Sequence, residues 1–424
     1  STLFPYTTLF RSLALCMILG VAACGNNGDQ NSSKTEDNSA AGNVSSEGDA
    51  STVSTDGKTL KVGFIFLHDE NSTYDLNFIN AAKAACEATG AEIVMKTNIP
   101  ESNACYEAAA DLADAKCDIV FADSFGHEPF IAQAAQEFPN VQFCHATGTT
   151  AHTAGIPNLH NAFASIYEGR YLAGIAAGLK LNEMIAAGQF KAEEAKIGYV
   201  GAYPYAEVIS GYTSFFLGAR SVCPTATMDV KFTGSWYDEG KEKEAAEALI
   251  KGGCKLISQH ADSMGAPTAC EVANVPNVSY NGSTAEACPN TFIVSSRIDW
   301  TPYMTYMINC VKEGKTIDAD WCKGLEDGAV KLTELGTAAA EGTQEAIDAA
   351  KAKLADGSLH VFDINTFTVD GKKLESYMAD VNSDPAYEKD TEVISDGYFH
   401  ESEYRSAPYF DVKIDGINLL DTEA

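Results

Sequence analysis

Basic residues are scarce in this chain: 29 Lys and Arg stand against 59 Asp and Glu over 424 residues, a formal net charge of −30. A field of that sign repels nucleic-acid phosphates and anionic lipid, which excludes nucleic acid as a partner and a basic patch as a membrane anchor. Catalytic signatures are missing as well. The chain has no GxSxG nucleophile elbow, no P-loop and no GxGxxG phosphate cradle, so no motif points to a serine hydrolase, an NTPase or a dinucleotide enzyme. The 12 cysteines form no CxxC and no Cys/His zinc spacing, and the acids Asp69, Asp75 and Asp123 do not fall at metal-loop spacing. Neither a metal nor an organic cofactor is expected. Beyond the first 23 residues no run of 18 apolar residues occurs, so no membrane-spanning helix is expected there.

What is present begins with a leader. Arg11 precedes an apolar stretch at 13–22, too short to cross a bilayer but suited to a signal-peptide core. The stretch closes on Val21-Ala22-Ala23-Cys24 and gives way to a polar linker, as a bacterial lipoprotein processing site does. Residues 1–23 are read as an artefactual start, opening Ser1-Thr2-Leu3 without an initiator methionine, followed by the signal peptide. Cys24 is read as the lipidated residue, and 24–58, rich in Asn, Ser, Gly, Asp, Glu and Thr, as a flexible tether. Acyl chains on Cys24 would bury methylenes at roughly 0.8 kcal/mol each, and two or more chains make a stable anchor. The expected location is extracytoplasmic, on a bacterial cell membrane. Export permits disulfides, with Cys270 to Cys288 or Cys310 to Cys322 as conceivable pairs; buried free thiols are the alternative.

From residue 59 onward two β/α series alternate. Strand-like runs at 60–67, 92–96, 119–121 and 141–144 are separated by helical patterns at 74–88, 104–115 and 130–137. After a strand at 162–166 and a small-residue helix at 167–181 the pattern restarts. Strands are expected at 196–202, 227–232, 256–258 and 278–280, with helices at 207–220, 241–251 and 267–273. The expected fold is α/β, two doubly wound Rossmann-like lobes of the type I periplasmic-binding-protein kind with a cleft between them. Lobe 1 is assigned 59–166 with about 292–340, because 292–296 and the amphipathic run 302–313 are expected to return to it. Lobe 2 is assigned 167–291. The extension at 341–424 holds a helical run at 345–354 and a strand-like run at 359–362.

In open α/β sheets the ligand crevice lies beyond the carboxyl ends of the strands. Those ends carry His68-Asp69-Glu70-Asn71-Ser72-Thr73-Tyr74-Asp75, Asp123-Ser124-Phe125, Tyr203-Pro204, Ser235-Trp236-Tyr237-Asp238 and Gln259-His260-Ala261-Asp262-Ser263. Aromatics and hydrogen-bonding groups from both lobes would converge on a flat, heteroatom-rich ligand such as a purine, a flavin or a sugar. The bland alternative is that Ser72, Thr73, Ser124 and Asp238 are ordinary helix caps and the aromatics pack.

Several of these stretches closely resemble the basic membrane protein family of ABC-transporter solute-binding lipoproteins. They are Ile197-Gly198-Tyr199-Val200-Gly201-Ala202-Tyr203-Pro204, Glu207-Val208-Ile209, Phe216-Leu217-Gly218-Ala219-Arg220, Ser235-Trp236-Tyr237-Asp238 and Tyr167-Glu168-Gly169-Arg170-Tyr171-Leu172-Ala173-Gly174, spread over most of 60–340. The resemblance implies capture of purine nucleosides for import, with other branches associated with nucleobases or riboflavin. It sets Tyr74 against one face of the base and Trp236 against the other. The family's usual amide after the aromatic falls on Asp75, which offers acceptors only. The strand-three polar position falls on Asp123 or Ser124. Asp262 and the Asn281 turn would read the base edge or a ribose, and Arg297 would donate to a ribose or base oxygen or bridge the lobes; His260 is read as a hydrogen-bonder of the cleft. A loop acid falls among Asp69, Glu70 and Asn71.

The leading expectation is therefore a monomeric, lipid-tethered receptor, not an enzyme. It would close on a small aromatic solute and hand it to an ABC permease and ATPase complex. The alternatives are a surface sensor of the same fold, a receptor for riboflavin or a sugar, and a secreted nucleoside hydrolase built on Asp69, Asp75 and Asp123.

Overall fold

The computed structural model describes residues 59–382 and 388–420. The expected signal peptide, Cys24 and the tether lie outside the described residues.

The alternation of the sequence resolves into two parallel sheets wound the same way. The first is built from β1 Lys61–Ile65, α1 Thr73–Thr89, β2 Glu92–Lys96, α2 Asn103–Asp114, β3 Ile119–Ala122, α3 Glu128–Glu137, β4 Gln142–Ala146 and β5 Leu159–Ala164. The long α4, Ile166–Ala186, leads into β6 Lys196–Gly201, α5 Ala206–Val222, β7 Thr227–Phe232, α6 Glu239–Lys251, β8 Leu256–His260, α7 Gly265–Ala273, β9 Asn277–Tyr280 and β10 Phe292–Ile298. Spatial order runs β2-β1-β3-β4-β5 in one sheet and β7-β6-β8-β9-β10 in the other. Strand order therefore reverses between β1 and β3 and between β6 and β8, which is where a ligand crevice forms. The central strands are apolar along their length because helices cover both faces: Val62, Phe64 and Ile65 are all buried.

Helix starts follow local chemistry. Ser72 caps α1 by accepting from the Asp75 N–H, and Asp238 caps α6 by accepting from the Lys241 N–H. For these two residues the capping alternative is what the structure contains.

Two expectations are corrected. Phe292–Ile298, expected to return to lobe 1, pairs in parallel with β9 and belongs to the second sheet. The crossing comes after it: α8 Thr301–Lys312 packs on α1, and β11 Asp320–Lys323 joins the first sheet beside β5. The chain then returns, and β12 Val330–Leu332 lies antiparallel to β10. An apolar run specifies a strand but not its partner, and the open edge of β9 takes this one. The second correction concerns 359–362, which is irregular backbone: Val361 and Phe362 are buried, with Phe362 stacked on Phe410 at 4.3 Å.

The extension fastens to both lobes. Helix α9, Thr343–Ala355, packs on α4, and the strand Ile417–Leu419 adds to the second sheet alongside β7. On the first lobe the Ser406 N–H donates to Asp320 Oδ2 at 2.8 Å, and Asn161 Nδ2 donates to Ser406 Oγ at 3.0 Å. On the second, Ser210 Oγ of α5 donates to Glu401 Oε1 at 2.5 Å. Burial pushes the Glu401 carboxyl up to about 7. The ten cysteines from Cys86 to Cys322 are free thiols, nine of them buried. Among the described residues no helix is long and apolar enough to cross a membrane.

Helices α4 and α5 meet backbone to backbone. A Cβ on Gly174 would lie 2.0 Å from the Phe215 carbonyl oxygen, and one on Gly218 would lie 2.0 Å from that of Tyr171. Gly174→Ala should therefore destabilise the protein by about 1–3 kcal/mol or more, the range for overpacking a close contact. The measurement is a fall in the urea midpoint at unchanged slope.

Candidate functional site

The carboxyl ends of β1 and β3 are tied together by two carboxyl groups. Asp123 Oδ1 accepts from the Leu67 N–H at 3.1 Å, and Asp75 Oδ1 accepts from the His68 N–H at 2.8 Å. Ser72 Oγ donates to Asp75 Oδ2 at 2.6 Å. Asp75 thus holds the β1–α1 loop from the first turn of α1, where a negative charge is also favoured by the helix dipole. Asp123 is fully buried. Burial first, then the neighbouring Asp75 carboxylate, drives its carboxyl well above the usual range, whereas bonds from His68 and Ser72 outweigh burial at Asp75 and keep its carboxyl low. Of the two, Asp123 is the carboxyl pushed towards its protonated form. The Tyr74 hydroxyl donates to the Asp123 carbonyl at 2.7 Å, which fixes its ring at the mouth of the first lobe.

The second lobe contributes the facing wall. Asp262 follows β8, and its carbonyl accepts from the Thr73 N–H at 3.0 Å and from Thr73 Oγ1 at 3.2 Å, so the two lobes are joined at the start of α1. Rings meet across the same seam: His68 and Tyr237 at 5.3 Å, Phe125 and Tyr205 at 5.7 Å. Trp236 lies 5.1 Å from Tyr203, edge to face. Between the walls is a space of about 20 Å³, room for about one water molecule, so in this arrangement the side chains of the two walls nearly fill the cleft.

Of the residues expected at the site, Tyr74, Ser124, Trp236, His260 and Asp262 line this space. The others do not. Asp69, half-buried, and Asn71, exposed, bond to one another at 2.8 Å. Asp75 and Asp123 lie behind the wall, and Asn281 is a buried turn residue with φ 62°. Arg297 is turned away: its Nη1 donates to Asn77 Oδ1 at 3.2 Å and its Nη2 lies 3.6 Å from Asp299 Oδ2. Six lining residues were not expected: Leu67, His68, Phe125, Thr147, Glu207 and Tyr280. His68 and Phe125 stand in the strand-end stretches and Glu207 in a family motif, so those three had a signal. Thr147, with φ 69°, had none.

The lining carries two acids, Glu207 and Asp262, and no lysine or arginine. Burial, with Glu242, Asp75 and Glu207 nearby, drives the Asp262 carboxyl well above its usual range. Burial likewise lowers the His260 imidazole. The arrangement offers ring faces and hydrogen-bond acceptors to a flat ligand. Among the described residues no group of three His, Cys, Asp or Glu could hold a metal ion.

Two doubly wound lobes that close rings and carboxyl groups over a small cavity define a solute-binding protein of the periplasmic-binding-protein type. A family model described as ABC transporter substrate-binding protein, PnrA-like (Bmp), matches residues 67–359, and the chain belongs to that family. Substrate-binding proteins of ABC transporters act outside the cytoplasm. A purine-binding protein of Brucella abortus is 32% identical over 72% of this chain and 83% of its own length. A Haloferax volcanii protein, provisionally named as the glucose-binding protein of an ABC transporter, is 32% identical over 59% of this chain and 60% of its own. Among solved structures, a solute-binding protein of an ABC transporter system from Conexibacter woesei superposes with TM-score 0.58 at 22% identity, covering 71% of this chain and 98% of that one.

The buried acids set a pH dependence. Glu242 accepts from the Ser263 and Asp238 N–H groups, and burial still pushes it up to about 7, like Glu401. A carboxyl raised by folding favours the folded state while protonated. That contribution is complete below the unfolded value near 4.5 and is lost as pH climbs through about 7. These two carboxyls therefore pull the melting temperature down by roughly a few degrees between pH 5 and pH 8, against buried imidazoles such as His127 and His260, whose lowered values pull it the other way. Glu242→Gln should flatten part of that slope in a calorimetric pH series.

Proposed function

We propose that this protein captures a purine outside the cytoplasm by closing its two lobes and delivers it to the permease and ATPase of an ABC importer, held to the membrane through Cys24. The observation that carries the reading is the make-up of the cleft. Tyr74 comes from one lobe and Trp236 from the other, and carboxyl, hydroxyl and imidazole groups but no lysine or arginine line the cleft with them. Rings contribute roughly 0.5–1.5 kcal/mol per contact beyond area burial, and a carboxyl accepting from an N–H edge adds a charge-assisted bond. Micromolar to nanomolar capture needs about −8 to −12 kcal/mol, within reach of that set. The protein need do no chemistry on its ligand.

Two features narrow the ligand. No lysine or arginine lines the cleft to meet a phosphate, which disfavours nucleotides. Arg297, the ribose donor that the family resemblance implies, is engaged with Asn77 and Asp299, which favours the free base over the nucleoside. The purine-binding Brucella relative supports the same class. A sugar is the second reading: rings and carboxyl groups also suit hexoses, and the Haloferax relative carries a glucose-binding name.

Calorimetric titration of protein freed of carried-over ligand by unfolding and refolding separates these readings. With adenine, hypoxanthine, adenosine, AMP, riboflavin and glucose as the panel, one-to-one binding of a purine base, weaker binding of adenosine and no heat from AMP are expected. Binding of glucose alone would replace the purine reading with the sugar one. Trp236→Ala should weaken the purine by about 1–3 kcal/mol without unfolding the protein.

A further inference from the structure

Arg170 is fully buried in the first turns of α4. Its hydrogen bonds go to neutral oxygens: Nη2 donates to Ser258 Oγ at 2.8 Å and to the Tyr199 hydroxyl at 3.0 Å, and Nη1 donates to Ser296 Oγ at 3.3 Å and to the Ser279 carbonyl at 3.4 Å. Nε has no partner, and none of these bonds reaches a carboxylate. Rings enclose the guanidinium instead, with Cζ 4.8 Å from the Phe215 centroid and 5.3 Å from that of Tyr280. A buried charge without a counter-ion is unfavourable, and an apolar side chain of similar volume often serves packing as well or better. Arginine, unlike lysine, does not escape by losing its proton.

The location of the charge points to its use. Tyr280 lines the cleft and packs against His260, ring centroids 4.2 Å apart. His260 Nε2 lies 3.5 Å from Glu207 Oε1. On the other side of the imidazole is Gly211 of α5, where a Cβ would sit 2.6 Å from Nδ1, so the ring is held in place. Around His260 stand Glu207 from α5, Tyr280 from β9, Tyr199 from β6, Arg170 from α4 and Asp262 two residues further along the chain. Burial is the main force lowering the imidazole; Glu207 draws a proton onto it, and the Arg170 charge adds a smaller push against protonation.

We propose that Arg170 is a positioning residue of the ligand cleft: its charge behind Tyr280 adds to the burial of His260 in opposing an ion pair with Glu207, which leaves the Glu207 carboxylate available to accept from the N–H edge of the ligand. With a neutral residue at 170, His260 takes up a proton as pH falls, pairs with Glu207 and removes that acceptor from the cleft. The proposal rests on reading the cleft as the ligand site, not on which ligand fills it.

The test is an NMR titration of the histidine ring protons in the wild-type protein, Arg170→Met and Arg170→Gln, with His260 assigned through His260→Gln. Glutamine keeps hydrogen-bond donors but not the charge, so it separates the electrostatic role from a packing one. The expected result is that His260 titrates at least about one pH unit higher in both variants than in the wild type, a tenfold change in its proton affinity. If Arg170→Met does not fold, Arg170→Gln carries the comparison. Adenine affinity in both variants should fall about tenfold between pH 8 and pH 5.5 relative to the wild type over the same range. A folded Arg170→Gln whose His260 titrates as in the wild type overturns the proposal. Failure of the wild-type protein to bind adenine counts against the purine reading alone, and the histidine titration still decides this one.

Discussion

The second wall of the cleft depends on the approach of two helix backbones. Where α4 crosses α5 no side chain intervenes, because Gly174 faces the Phe215 carbonyl and Gly218 faces that of Tyr171. That contact brings Arg170 from one helix and Glu207 and Gly211 from the other to the same end of the second sheet. Spacing the helices apart by even one methyl group would disturb the ring stack behind the cleft, since interiors pack too tightly to absorb such a change locally. The glycines that look like a weak, small-residue pattern in the sequence are therefore what set the geometry of the polar residues.

The seam between the lobes follows a related economy. The first N–H groups of a helix have no partner within it, and the one at Thr73 is satisfied by the Asp262 carbonyl of the opposite lobe. The second lobe thus completes a helix that belongs to the first. On the proposed reading, a ligand in contact with both walls would favour arrangements in which the lobes are joined over those in which they separate, so capture would be a shift of population rather than a distortion imposed on one state.

Much of the architecture was legible in the sequence, because buried parallel strands and amphipathic helices differ in period and are punctuated by caps and glycines. The partner of each strand was not. Phe292–Ile298 has the same apolar pattern whichever sheet receives it, and only the three-dimensional order of strands assigns it to β9. The site was legible to a similar depth. Tyr74, Trp236, His260 and Asp262 stand where strand ends were expected to converge. Asp75 and Arg297 show the limit, since a carboxylate three residues after a serine cap reads the same whether it faces a ligand or ties down its own loop. Glu207 was visible as part of a motif but not as a cleft residue, because its exposure to the space depends on how α5 sits against α4.

The terminal extension holds both halves of the molecule at once: Ser406 on Asp320, Glu401 under Ser210, and the strand Ile417–Leu419 along β7. These contacts lie beyond the stretch that matches the family model. Rotation of one lobe against the other must therefore either carry this strap along or tear it from one side. Any angular travel of the lobes would then be limited by a strap outside the stretch matched by the family model, and two relatives with the same walls and the same ligand would differ in stroke according to the length and anchorage of their terminal segments.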